Sequence, residues 1–247
     1  MIPSRPSRWF RRWFAGHARG RIARTFASVR VAGLERAREA LRAGPTVTVS
    51  NHTAWWDPLV ILWLTETLLG VESYAMMDAR NLRRLPFFGL VGAFGVDLDD
   101  PRDGALAMRY AAKLLDRPAR TVWVFAQGAE RPVTARPLGF RRGAAEVARI
   151  AKAPTLPVAL RYEFGGEERP TLFIAFGEPI EPTRDVHAGH AAHEGAVTAL
   201  LDTLDADLRD GAIARYVPVL AVAPGAVGRL AERCLAAMTR GLAGVPR

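Results

Sequence analysis

Asn51-His52-Thr53-Ala54-Trp55-Trp56-Asp57 sets an imidazole and a carboxylate five positions apart, just before an apolar run that opens at Pro58. That spacing does not share a face of a regular helix, so the pair can meet only if a turn intervenes. With His52 in the turn and Asp57 opening the next helix, the carboxylate folds back onto the ring. It then fixes the tautomer and steadies the imidazolium, leaving the second ring nitrogen to take a proton from an attacking hydroxyl. Acyl transfer from a thioester to an alcohol needs such a pair. The bare spacing is common by chance, however, and Asp57 suits equally the N-cap of that helix, with His52 a plain loop residue.

The flanking elements add weight to the catalytic reading. Residues 46–50 alternate threonine and valine and read as a buried strand that delivers His52 to its carboxyl end, where ligands collect in open α/β sheets. Similar short β-branched runs predict strands near 28–32, 73–77, 94–98, 121–126, 155–161 and 171–177. Helices are expected near 34–42, 57–70, 103–117, 142–152 and 191–209. The alternation predicts a single α/β domain over 28–215 with a largely parallel or mixed sheet covered by helices. Residues 216–247 read as a C-terminal helical extension, with a break at Pro224-Gly225 and then Leu230, Cys234, Leu235 and Met238 at helical spacing.

Residues 1–27 interleave aromatics with arginines. Trp9, Phe10, Trp13 and Phe14 gather on one face of an amphipathic helix beside Arg8, Arg11 and Arg12, a pattern suited to lying in a membrane interface. An ordinary terminal helix packed on the core is the alternative. The formal charge of +9, almost wholly arginine, suits a polyanionic surface, either nucleic acid or an anionic leaflet. No nucleic-acid motif accompanies it, so no nucleic-acid partner is expected. The single cysteine, Cys234, excludes an internal disulfide and fits a reducing compartment. No apolar run reaches the roughly 20 residues of a membrane span, and no secretory signal is evident. Peripheral attachment to the cytoplasmic face of the cell membrane is the expectation.

Five blocks in order resemble the PlsC-type glycerolipid acyltransferases of the lysophospholipid acyltransferase superfamily. Asn51-His52 through Asp57 is similar to the first motif, and Arg84-Leu85-Pro86-Phe87-Phe88-Gly89 with Gly95-Val96 to the second. Val122 through Gly128, followed by Phe140-Arg141-Arg142-Gly143-Ala144, resembles the third. Ala153 through Leu160 resembles the fourth, and Phe176-Gly177-Glu178-Pro179-Ile180 the segment that often follows. The resemblance implies a glycerol-3-phosphate-acyltransferase-like fold and a fatty acyl group moved from acyl-CoA or acyl-carrier protein, as co-substrate, to a lipid hydroxyl. It needs no metal or bound cofactor, and 1-acylglycerol 3-phosphate is the default acceptor. His52 would be the general base and Asp57 its orienter, with Asn51, Gln127, Gly128, Arg131, Arg141 and Arg142 around the substrates. The Gly128 N–H is a candidate oxyanion donor, and the three arginines suit phosphate or the pyrophosphate of a coenzyme A donor. A solvated basic loop is the plainer account of those arginines.

Two departures bear on the acceptor. The third motif of the family reads Phe-Pro-Glu-Gly-Thr-Arg, whereas Phe125-Ala126-Gln127-Gly128-Ala129-Glu130-Arg131 has an amide for the carboxylate and lacks the threonine. The second motif lacks its phosphate-side arginine, and Asp97, Asp99 and Asp100 stand nearby, which would repel phosphate. A non-phosphorylated acceptor such as an ornithine lipid, a glycolipid or a glycosylated carotenoid is therefore the alternative, and a non-catalytic lipid-binding relative a further one. His187, His190 and His193, three apart, are expected in a flexible polar loop before a helix from Glu194, with no metal site, since on a helix the rings would fan apart. The aspartates from Asp97 to Asp103 are expected to form a turn. Trp55 and Trp56 are expected in the core or on a membrane-facing surface.

Overall fold

The computed structural model describes residues 1–221. Within these residues eight strands form one mixed sheet: β1 Ser28–Ala32, β2 Thr46–Ser50, β3 Glu72–Asp78, β4 Ala93–Val96, β5 Arg120–Phe125, β6 Thr155–Glu163, β7 Thr171–Phe176 and β8 Val217–Ala221. Their spatial order is β4-β3-β5-β2-β6-β7-β1-β8. The five strands from β4 to β6 run parallel, β6 and β7 pair antiparallel, β7 and β1 parallel, and β1 and β8 antiparallel. The expected α/β domain is thus present, with seven strands where the alternation put them. β8 was not anticipated, because Pro218 and an exposed Val217 hide its pattern.

Among the described residues seven α-helices cover the sheet: α1 Arg8–Thr25, α2 Leu34–Ala43, α3 Asp57–Leu64, α4 Ala79–Arg84, α5 Pro101–Leu114, α6 Gly143–Ala151 and α7 Val186–Asp210. α3 runs on into a π-helical turn at Thr65–Leu69, and a 3₁₀ turn at Pro86–Val91 follows α4. Both faces of the sheet are buried, so side chains of alternating strand positions go to different cores. Val47, Val49, Val122 and Val124 pack under α5, α6 and α7. Trp123, Leu156, Val158 and Leu160 pack on the other face against α1, α2 and α3. The threonines of β2 also turn inward, where Thr48 and Thr121 share a hydrogen bond of 2.7 Å between neighbouring strands. A buried hydroxyl needs that partner.

α1 packs through Ala15, Ala18 and Ile22, with Ser7 as its N-cap. Its arginines do not all face outward as the sequence pattern suggests. Arg11 is buried and pairs with Glu66 of the π-helical turn at 2.5 Å. The four aromatics also divide: Phe10 and Phe14 pack toward Phe88, while Trp9 and Trp13 stack on each other and remain 73% and 54% exposed. Among the described residues no helix is long and apolar enough to cross a membrane.

α7 corrects the expectation of a flexible loop at the histidines. It starts at Val186, where the Asp185 carboxylate caps the N–H groups of His187 and Ala188, and the alanines that follow favour helix. His187, His190 and His193 are all helical. His193 is buried, which holds its imidazole down at about 4. The first residues of the expected C-terminal extension are the strand β8, and the helix expected around Leu230 to Met238 lies outside the described residues.

Candidate active site

β2 ends at Ser50, and the chain then turns sharply into α3. The Asp57 N–H closes the turn on the Ala54 carbonyl at 3.0 Å, and Pro58 supplies a backbone angle already set for a helix start. This fold-back brings the imidazole and the carboxylate together, with His52 Nδ1 and Asp57 Oδ2 at 2.7 Å. Asp57 is fully buried. A buried carboxylate needs hydrogen-bond donors, and this one has several: the Thr53 and Ala54 N–H groups reach Oδ2 at 2.9 and 3.1 Å, and the Tyr162 hydroxyl donates to Oδ1 at 2.5 Å. Burial and the Asp57 charge push the Tyr162 phenol well above its usual range, which keeps it a donor. Asp57 is the first residue of α3 and not its N-cap, a position Trp56 holds with no side-chain bond; the carboxylate turns back to the ring and the preceding turn instead.

The ring of His52 lies on Phe125 at the end of β5, with centroids 4.5 Å apart and planes 21° apart. Nδ1 is committed to Asp57, so Nε2 is the ring nitrogen left for chemistry. His52 lines a cavity of about 960 Å³ over the carboxyl ends of β3, β4 and β5. Leu59, Leu62, Met76, Phe88, Val91 and Met108 give it an apolar interior. Arg141 and Gly128 also line it. The predicted site thus comes together in part.

Asn51 and Gln127 are near His52 but are spent on the protein. Asn51 is fully buried: its Nδ2 donates to the Leu160 carbonyl at 2.9 Å and its Oδ1 accepts the Leu160 N–H at 2.8 Å, clamping β2 to β6. Gln127 is likewise buried and bonded to backbone at both ends of its amide. Neither has substrate contact available in this arrangement. The Gly128 N–H donates to the Phe125 carbonyl at 3.0 Å, so the oxyanion role expected of it is taken by a turn.

Gly128 has φ of +70°, and a Cβ there would lie 2.8 Å from Arg141 Nε. Only glycine accepts both that backbone angle and the guanidinium lying over it. Arg131 is exposed, with its Nη1 3.5 Å from the Leu138 carbonyl, and Arg142 is exposed at the start of α6; neither lines the cavity. Of the three arginines, only Arg141 reaches the cavity wall.

Sequence reasoning missed Tyr162, whose bond to Asp57 spans 105 positions and leaves no local signal. It also missed Arg21 of α1, which lines the cavity and lies over Trp55 and Trp56 at 5.2 and 5.3 Å. Trp55 is exposed, whereas Trp56 packs edge-on against Phe26 in the core. The aspartates form turns as expected: Asp97 accepts the Asp99 N–H, Asp100 caps α5, and Asp103 accepts the Asp97 N–H. Among the described residues no group of three or more His, Cys, Asp or Glu side chains could hold a metal ion.

A family model described as Acyltransferase matches residues 28–161, more than half of the chain. Comparison with curated proteins finds no match.

Proposed function

Because the chain belongs to the acyltransferase family, we propose that it is a PlsC-type enzyme moving a fatty acyl group from an acyl thioester to a lipid hydroxyl, with His52 as general base. The observation that carries this reading is that His52 lines the apolar cavity while a fully buried Asp57 holds its Nδ1 at 2.7 Å. His52 Nε2 takes the hydroxyl proton as the oxygen attacks the thioester carbonyl. The C–S bond then breaks, and the imidazolium returns the proton to the departing thiolate. Asp57 stabilises that imidazolium, and the contrast between one charged partner and an apolar cavity suits a long acyl chain beside a single reacting centre. No metal or bound cofactor takes part in this scheme; acyl-CoA or acyl-carrier protein is the co-substrate.

The default acceptor is 1-acylglycerol 3-phosphate or a related lysolipid, with Arg141 and Arg84 in the cavity wall to meet phosphate. Asp97, Asp100 and Glu130 line the same cavity, and Leu98 offers no charge between them, which supports a non-phosphorylated lipid as the second reading. Trp55 is exposed at the cavity under Arg21, and the exposed Trp9 and Trp13 stack in a row that leads to His17 of the cavity wall, supporting peripheral docking on the cytoplasmic face of a membrane. A non-catalytic relative has no need of the retained His52–Asp57 pair.

The test offers lysophosphatidate, other lysophospholipids and glycolipids with labelled acyl-CoA or acyl-carrier protein to wild type and His52→Ala. A loss of about 10³-fold or more is expected in the variant, with vesicle binding retained. Full transfer by His52→Ala overturns the mechanism.

A further inference from the structure

Gln127 follows the end of β5, 2% exposed, with both ends of its amide engaged. Its Oε1 accepts the His52 N–H at 2.6 Å, and its Nε2 donates to the Leu138 carbonyl at 3.0 Å. The two partners fix the chemistry required. A backbone N–H needs an acceptor and a backbone carbonyl needs a donor, and a primary amide offers one of each at any ordinary pH. An ionised carboxylate offers acceptors only.

We propose that Gln127 is a positioning residue that ties the backbone of His52 to the loop 138–140, and that this position requires an amide and excludes an ionised carboxylate. The kinetic consequence rests on His52 being the base; the bridge itself does not. Its surroundings extend the tie in two directions. The Arg131 N–H donates to the His52 carbonyl at 2.8 Å, so the segment 127–131 holds His52 by both backbone groups. On the far side Glu194 of α7 accepts the Gly139 and Phe140 N–H groups at 2.8 and 3.2 Å, which anchors the loop that supplies the Leu138 carbonyl. The charged and titratable groups sharing these partners are His52, Arg131, whose guanidinium also reaches the Leu138 carbonyl, and Glu194. The glutamine at the third motif is therefore a substitution with a structural demand behind it, and restoring a carboxylate there should harm the protein.

Gln127→Glu tests this through its pH dependence. Burial beside a carbonyl disfavours the ionised form, so the introduced carboxyl has a folded pKa above its unfolded value. Protonated, it regains one donor and one acceptor. The variant's stability relative to wild type is then fully present below the unfolded pKa, about 4.3, and is lost as pH rises through the folded value. Unfolding midpoints of wild type, Gln127→Glu and the near-isosteric Gln127→Met, followed by circular dichroism from pH 4 to pH 8, should show a gap that widens with pH for the glutamate variant and stays constant for the methionine variant. A glutamate gap that is constant or shrinks with rising pH overturns the proposal. In transfer of labelled palmitoyl-CoA to 1-acylglycerol 3-phosphate, the ratio of Gln127→Glu to wild-type kcat should rise up to about 10-fold per pH unit as pH falls toward the folded pKa, whereas the methionine ratio stays flat. A flat ratio near one for the glutamate variant also overturns it. If wild type transfers to none of the acceptors, the reaction assigned above fails, and the stability gap alone decides the bridge.

Discussion

Asp57 and Arg141 belong to one site but are held in opposite ways. Asp57 is fully buried and accepts from His52, Thr53, Ala54 and Tyr162. Arg141 is exposed; its backbone N–H is fixed to the Ala126 carbonyl at 2.6 Å, while its guanidinium lies over Gly128 at the cavity wall. The buried half commits to a single geometry because both oxygens of the buried carboxylate take their partners from within the protein. The exposed half can exchange its partners for water at little cost. In this molecule the His52–Asp57 pair is preorganised and the charged rim is adaptable, so under the proposed mechanism the chemistry should be sensitive to single atoms and the rim should not.

The contrast can be broken first at its strongest point. Asp57→Asn is expected to lower kcat by about 10⁴-fold, the size of the same change in a Ser-His-Asp triad, with the fold retained by circular dichroism. A loss below about 10-fold would mean that preorganisation of the ring matters little. Asn51→Ala comes next. It leaves the Leu160 N–H and carbonyl without their partner, and two buried backbone groups unmet should cost about 2–5 kcal/mol in chemical denaturation. The smallest effects should come from the rim. Arg141→Ala should raise KM for a phosphate-bearing substrate about 10-fold, the worth of one charge-assisted bond, with kcat little changed, whereas Arg142→Ala, off the cavity, should change neither beyond about 2-fold. Equal effects of the two arginines would erase the distinction between wall and loop.

The same difference governs what could be read from the sequence. Seven strands were legible because both sheet faces are buried and β-branched residues mark them, as in 46–50 and 121–126. β8 was not, since Pro218 and an exposed edge carry no such mark. The His52–Asp57 pair was legible because its partners are neighbours in the chain and a single turn joins them. Tyr162 was not, because its contact is made by sheet order: β6 lies beside β2. Asn51 and Gln127 were found as part of the site and assigned to substrate. Their true partners are main-chain groups, which have no residue letter to read. The arginines around 131–142 could be counted but not sorted, since which of them reaches a cavity depends on the turn at Gly128 and on where α6 begins. Arg11, grouped with Arg8 and Arg12 on an interfacial helix by the sequence pattern, is buried where Glu66 meets it.

The glycine under Arg141 has a consequence for how this chain can change. Any side chain at position 128 meets two obstacles, the left-handed backbone angle and the guanidinium 2.8 Å away. Removing Arg141 clears the second and leaves the first. The cost of altering both positions should therefore fall short of the sum of the separate costs, as is usual for residues in contact. Viewed as inheritance, the two positions form one unit. A lineage that gives up the arginine gains only a little freedom at the glycine, and one that gives up the glycine first must strain the turn and move the guanidinium off it in a single step.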